Sequence, residues 1–331
     1  DGFKVLDAGT RLVPEPNSTF DPEKIDRPHW VMAVRELFRQ QGLNPKKVKT
    51  ICTGISGASA SIKQITTMEM PSDELEAAMT FEARKHIPMD GTDAVIDFQI
   101  LGSNQREVDK IDVGLVACTK GVLTSHMDLL KECGLKPGVV DTYPIAMSNA
   151  FTFIKTMPDD GLVVILDIGA VSSSLVVYGS GEQFFTRDLP IGGHHFVKEL
   201  SDRKEISYTE AQDVLYKDGL AASISNSTDA PLTSVGIAER TIYDNLVEDL
   251  RRSLRFYAKQ TGQSFFLKIF LSGGAAETPG LTEFVSSKLN IECDLFDPFE
   301  NVNGGENISV NNKSQYTIAL GLGIRGGMAN E

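Results

Sequence analysis

Between Leu162 and Gly193 the chain reads as strands folded around an acidic tip, and this stretch restricts its architecture more than any other. An apolar run, Leu162 to Leu166, ends at Asp167, and Gly169 then turns the chain. Ser172, Ser173 and Ser174 lead into a second apolar run, Leu175 to Tyr178. Gly179 to Gly181 supplies a hairpin turn, and a third strand carries Phe184, Phe185 and Arg187. Such a tip can offer backbone N–H groups and hydroxyls to phosphate oxygens while its carboxylate holds a hydrated cation. It is not a P-loop, which needs a lysine and a following helix. An ordinary hairpin with an aspartate at its turn uses the same residues, so this stretch alone leaves both readings open.

A second stretch bears on that choice. Leu267 to Ser272 reads as a buried strand, Gly273-Gly274 as a turn, and Pro279-Gly280 as the opening of a helix. Leu281, Phe284, Val285 and Leu289 then recur at helical spacing. A glycine pair between strand and helix lets the backbone approach a flat or anionic ligand closely, with Ala275 next in line.

Elsewhere the chain alternates strand and helix signals. One strand is expected within Gly2 to Val13, followed by a Pro-rich loop, Pro14 to Pro28. Helices are expected at Trp30 to Gln40, Ser72 to His86, Gly121 to Cys133, Tyr143 to Ile154, Gly193 to Leu200, Thr209 to Tyr216, Val235 to Gly262 and Tyr316 to Gly327. Strands are expected at Val48 to Ser56, Ile62 to Met68, Val95 to Leu101 and Ile111 to Cys118. The Ser72-Asp73-Glu74 start carries an N-cap residue and an acidic first turn, and Pro88 stops the same helix. Ser223 to Ser234 and Val302 to Lys313 are polar or Gly/Asn-rich loops.

Composition narrows the class of function. A net charge of −13 argues against a nucleic-acid partner, which requires clustered Lys and Arg. No apolar run reaches the length of a membrane span, and the first residues lack the charged and apolar regions of a signal peptide. Cys52, Cys118, Cys133 and Cys293 are scattered with no CxxC pair, which fits a reducing cytoplasm. His194 and His195 have no accompanying metal-ligand pattern and read as surface histidines.

The Asp-Gly hairpin and the later strand, Gly-Gly turn and helix together resemble the actin, Hsp70 and sugar-kinase superfamily. More narrowly, several segments resemble the PilM family, actin-like cytoplasmic components of type IV pilus assembly related to FtsA. They are Met70 to Asp90, Val95 to Gly102, Gly134 to Asp141, Asp188 to Gly193, Tyr208 to Lys217 and Leu271 to Leu281, collinear over nearly the whole chain. The resemblance implies an α/β, actin-like, two-lobed fold with an inserted subdomain. Residues 1–56, 141–160 and 318–331 would form the first actin-like subdomain, 57–140 the insertion, 161–205 with 263–317 the second core subdomain, and 206–262 a helical subdomain touching nucleotide.

The same resemblance implies ATP and magnesium as ligands, with weak or no ATPase turnover. Asp167 would orient magnesium through water, Gly169 would admit phosphate, and Ser172 and Ser173 would donate to it. Gly192 and Gly193 would hinge the second half or touch phosphate. Gly273, Gly274 and Ala275 would line the adenosine pocket, and Glu210 and Lys217 would reach ribose and adenine. The implied partner is the N-terminal cytoplasmic peptide of a PilN-like inner-membrane protein, in a groove around Ala58 to Gln64 and Ala83 to Pro88. A pilus assembly ATPase and a second copy of the chain are further partners compatible with the family. The protein would sit at the inner membrane through its partner.

Asp7-Ala8-Gly9-Thr10 has the form of the superfamily's first phosphate loop. Only one short strand fits before the Pro-rich loop, so Gly2 to Pro14 aligns better with later strands of that meander, and the first phosphate strand is expected to be missing from this sequence. Two other functions use the same fold. An FtsA-like membrane-associated filament protein would need an amphipathic membrane helix, which Gly321 to Glu331 does not supply. A small-molecule kinase would need a substrate cleft with a deprotonating Asp, and no motif announces one.

Overall fold

The computed structural model describes residues 3–13, 20–56, 59–86, 94–224 and 240–328. Its organising element is a five-stranded mixed sheet. The strands are β6 (Leu162–Ile168), β7 (Ser173–Tyr178), β8 (Phe185–Leu189), β9 (Phe266–Ser272) and β10 (Glu292–Leu295), in the order β10-β9-β6-β7-β8. β6 runs antiparallel to β7 and parallel to β9. Every residue of β6 is buried, because its two faces feed two different cores. Val164, Leu166 and Ile168 face one core, together with Leu175, Val177, Ile269 and Leu271. Val163 and Ile165 face the other, with Val176, Phe151, Phe296 and Ile324. A strand covered on both faces reads as an unbroken apolar run, which is why this element is so legible in the sequence.

The first of these cores is closed by α5 (Gly193–Lys204), α6 (Tyr208–Asp218), the short α7 (Leu220–Ile224), α8 (Ile242–Thr261) and α9 (Leu281–Leu289). α8 starts at Ile242, not at Val235. Thr241 and Asp244 form a reciprocal cap that satisfies the first-turn amides and fixes the start, and Gly262 at φ +78° ends it. Residues 235–239 lie outside the described residues. The second core is closed by α4 (Tyr143–Ile154) and α10 (Thr317–Met328). These two helices cross so closely that a Cβ at Gly321 would stand 1.8 Å from the Ala146 carbonyl oxygen.

The insertion is an antiparallel sheet, β2 (Ala60–Met68), β4 (Lys110–Thr119) and β3 (Ala94–Ser103), in the order β2-β4-β3. α2 (Ser72–His86) lays Leu75, Met79 and Ala83 on Ile111, Val113, Leu115 and Ala117, the inward residues of β4. The Pro88 stop lies outside the described residues. β1 (Cys52–Ile55) pairs in parallel with β5 (Val139–Thr142) to complete the described strands. α3 (Lys120–Glu132) packs Leu130 against Val31, Val34 and Phe38 of α1 (Arg27–Gln40). It therefore shares a core with the first lobe, although it falls within the 57–140 span.

Among the described residues, 3–13, the strand expected within Gly2 to Val13 is not formed. An isolated parallel bridge, Lys4 to Asn303, is present there, with the Val5 amide donating to the Asn303 carbonyl at 2.9 Å. Phe3 and Val5 are drawn into the second core by packing rather than by a ladder. β5 and β10 are four-residue strands without a strong sequence signal.

A glycine-lined candidate nucleotide site

Asp167 is the last residue but one of β6, and the parallel register places it opposite Ser272 at the end of β9. The Ser272 hydroxyl donates to Asp167 Oδ2 at 2.7 Å. Both side chains are buried, Ser272 fully. Burial pushes the Asp167 carboxyl from 3.8 up to about 6, and the Ser272 hydrogen bond opposes that shift. The two strands thus deliver a desolvated carboxyl to their shared carboxyl end, the usual position of ligand sites in open α/β sheets.

The hairpin from Gly169 to Ser172 is closed by the Gly169 amide donating to the Ser172 carbonyl at 3.1 Å. The start of α5 is stitched to it: the Gly193 amide donates to Gly169 O at 2.9 Å, and the His194 amide to Ala170 O at 2.8 Å. A Cβ at Gly192 would lie 2.7 Å from backbone atoms of Gly169, Val171 and Ser172. A Cβ at Gly193 would lie 2.8 Å from the Ala275 Cβ. The turn after β9 joins from the third side. The Ala275 amide donates to Ile168 O at 3.0 Å, and Gly273 adopts φ +92° with no room for a Cβ beside Ile168. Gly274, by contrast, faces open space.

Asp167, Gly169, Ser172, Gly192, Gly193, Gly273, Gly274 and Ala275 are therefore brought to one locus. Glycines at successive contacts remove the side chains that would fill it, which fits an extended anionic or flat ligand approached by backbone. Ser173 belongs to the same hairpin but is fully buried, and its hydroxyl donates to the Ile191 carbonyl at 2.6 Å. It braces the strand after the tip instead of facing outward. Glu210 is exposed and engaged in a reciprocal cap with Ser207, its Oε2 accepting from the Ser207 amide at 3.0 Å and hydroxyl at 2.7 Å. Lys217 lies exposed on the last turn of α6. The end of α6 reaches the Pro279-Gly280 opening of α9 through Gly219, whose absent Cβ would meet the Pro279 carbonyl oxygen at 2.1 Å.

Three features escaped the sequence reading. Ser314 supports the turn: its carbonyl accepts from the Gly273 amide at 3.0 Å, and Glu277 Oε1 accepts from its own amide at 3.1 Å. His194 and His195 are half-buried rather than surface residues. His195 Nδ1 accepts from the Gly192 amide at 3.1 Å, and His194 Nδ1 meets the Tyr208 hydroxyl at 3.2 Å. Phe20, from the segment preceding α1, packs edge-on against the His194 ring at 5.3 Å. None of these carries a local motif, since each contact joins residues distant in sequence or hidden in a helix start.

Asp7 to Thr10 do not sit on a strand. Gln41, just past α1, donates to Ala8 O at 3.4 Å, and Leu6 and Leu12 are exposed. In the expected peptide groove, Ala83 is fully buried between α2 and β4 and cannot line a groove. Gln64 Oε1 accepts the Phe184 amide at 2.8 Å, so it joins the insertion to the second lobe. Residues 57, 58, 87 and 88 lie outside the described residues. Among the described residues no group of three or more His, Cys, Asp or Glu could hold a metal ion by itself. Asp167 fits the one-carboxylate, water-rich coordination that magnesium favours on a phosphate ligand.

A family model described as type IV pilus assembly protein PilM matches residues 15–327 of the chain. The cell division protein FtsA of Staphylococcus epidermidis strain ATCC 12228 is 22% identical over 205 residues, covering 57% of this chain and 43% of its own length. FtsA of Neisseria meningitidis serogroup B is 22% identical over 231 residues, covering 64% and 55%. The chain thus spans about half the length of the curated relatives it matches. A solved structure described as a PilM-PilN type IV pilus biogenesis complex superposes with a TM-score of 0.75 at 22% identity, covering 95% of this chain and 89% of that one. At that identity the match speaks for the fold, which is the actin-like one expected from the two glycine turns.

Proposed function

The chain belongs to the family of the type IV pilus assembly protein PilM, and on that premise we propose that it is a cytoplasmic, actin-like, ATP-binding scaffold of a pilus assembly complex at the inner membrane. It captures the N-terminal cytoplasmic peptide of a PilN-like membrane protein. The observation that carries the nucleotide half is the meeting of Asp167, Gly169, Gly193, Gly273 and Gly274 at the ends of β6 and β9.

In this reading ionised Asp167 holds magnesium through water, and Gly169 and Ser172 face the phosphates. Gly192 and Gly193 let α5 close on the hairpin. Gly273, Gly274 and Ala275 face adenosine, and Glu210 and Lys217 border ribose and adenine. ATP supplies binding energy that favours one arrangement of the two lobes, rather than a reaction to be turned over. No helix among the described residues is long and apolar enough to cross a membrane. A membrane partner is the simplest attachment, and the PilN component of the structurally similar complex names its class.

Calorimetry with ATP and magnesium, then with the synthetic N-terminal peptide of the PilN-like protein, tests both halves. Saturable one-to-one peptide binding, with ATP bound and not consumed, is expected. Folded protein that binds neither ligand, or that phosphorylates a sugar or acetate in turnover, overturns the reading.

A further inference from the structure

The pole of the second lobe away from the glycine-lined site carries a groove of about 310 Å3. Arg251, Leu254, Arg255 and Ala258 of α8 form one wall, and Phe266 and Ile291 contribute to the others. Phe266 is the first residue of β9 and Ser272 the last, so the groove and the glycine cluster sit at opposite ends of a strand roughly 20 Å long at about 3.3 Å per residue. An occupant here would leave the other site free.

Charge selects the occupant. The chain is strongly anionic, yet α8 presents Arg251, Arg252, Arg255 and Lys259 within about two and a half turns. Arg251 pairs with Glu248 at 2.6 Å and donates to the Lys288 carbonyl at 2.7 Å. Arg252 is met by Glu248 and Asp249. Nearby, a single Lys268 is shared by Glu292 and Asp294, which leaves one carboxylate charge uncancelled there. Arg255 and Lys259 are exposed and have no ion pair among the described residues. Two cations without a carboxylate partner among the described residues therefore stand beside an apolar slot whose volume suits one or two large apolar side chains, and the local balance stays positive by one charge. Arg251 to Ala258 spans about 10 Å along the helix, enough to meet a turn or two of a partner helix.

We propose that this groove docks an acidic, amphipathic peptide segment of a partner protein. Its apolar side chains enter between Leu254, Ala258, Phe266 and Ile291, and its carboxylates pair with Arg255 and Lys259. The proposal is independent of nucleotide binding.

The test uses the whole protein and a fluorescein-labelled helical peptide of about twelve residues, with Leu and Phe on one face and Glu on the other. A counterpart carries Lys in place of every Glu. Fluorescence anisotropy is expected to show saturable binding of the Glu peptide only. Arg255→Glu, checked for unchanged circular dichroism, is expected to weaken it at least tenfold, as is raising the salt from about 0.05 to 0.5 M. Equal binding of both peptides, binding of neither, or indifference to Arg255→Glu overturns the proposal. So does sedimentation showing that the protein self-associates in an Arg255-dependent way, since the occupant is then a second copy.

Discussion

Arg106 and Glu182, 76 positions apart, meet with Nη2 2.9 Å from Oε2. Arg106 belongs to the β3–β4 turn of the insertion, and Glu182 follows the Gly179–Gly181 turn at the far end of β7. Gln64 grips the same hairpin by accepting the Phe184 amide. β7 begins one residue after the Gly169–Ser172 tip, so a single strand connects the glycine-lined site to the insertion's handhold. Motion at either end has a short, stiff path to the other.

That path makes Arg106 a test of communication rather than stability. The Arg106 side chain is 62% exposed, so its ion pair contributes on the order of 0–1 kcal/mol and Arg106→Ala should melt near the parent. If the lobes communicate through this contact, the ratio of PilN-like peptide affinities with and without ATP should move toward one in the variant. Coupling of this kind is reciprocal, so ATP affinity with and without peptide must change by the same factor. An unchanged ratio in calorimetry would remove the contact from the path.

Asp167 links the site to pH. Burial raises its folded-state pKa from 3.8 to about 6, so folding favours the protonated acid. That contribution is complete below about pH 3.8 and disappears as pH rises through about 6, a span on the order of 3 kcal/mol. Asp167→Asn keeps the shape without the charge. Thermal melting should show the variant more stable than the parent at pH 8, with the advantage shrinking toward pH 5, while magnesium-dependent ATP binding is lost. A variant less stable than the parent at pH 8 would contradict burial as the governing cause.

The neighbouring glycines Gly273 and Gly274 separate a backbone requirement from a ligand requirement. At Gly273 the φ of +92° and a Cβ 2.5 Å from Ile168 O both oppose a side chain. Gly273→Ala should cost upwards of about 2 kcal/mol in denaturant unfolding. Gly274 has no atom within 4 Å of its Cβ position. Gly274→Ala should unfold within about 0.5 kcal/mol of the parent yet bind ATP more weakly. Equal ATP affinity in Gly274→Ala would place the adenosine elsewhere.

Much of this arrangement was legible because the sheet's centre is buried on both faces. β6 and β9 stand out as apolar runs, and each ends in a glycine turn that marks the site. What was not legible depends on partners distant in the chain. Ser314 buttresses Gly273 from the residue just past the Gly/Asn-rich loop Val302 to Lys313, where no local motif marks it, and Phe20 reaches His194 across the fold. Phe3 and Val5 have the apolarity of a strand, but among the described residues no neighbouring strand accepts their ladder beyond the bridge at Asn303. The start of α8 was written in the sequence as Thr241 and Asp244, a reciprocal cap three residues apart. Ser173 shows the limit most sharply: beside Ser172 in sequence, it is the first residue of β7 and fully buried, whereas Ser172 is the exposed last residue of the turn.

That contrast between neighbouring serines yields the last prediction. Ser173 Oγ supplies a hydrogen to the Ile191 carbonyl in a fully buried setting, and removing it leaves that carbonyl without its partner. Ser173→Ala should therefore cost about 1–3 kcal/mol in unfolding while the folded protein retains ATP affinity. Ser172 is exposed at the tip and contributes to the hairpin through its backbone carbonyl, which alanine preserves. Ser172→Ala should leave stability unchanged and weaken ATP by several-fold, the loss of roughly 1 kcal/mol from one hydroxyl donor. Calorimetry and denaturant unfolding on the two variants decide it. If the effects are exchanged, with Ser173 governing affinity and Ser172 stability, the hairpin presents its opposite face to the nucleotide.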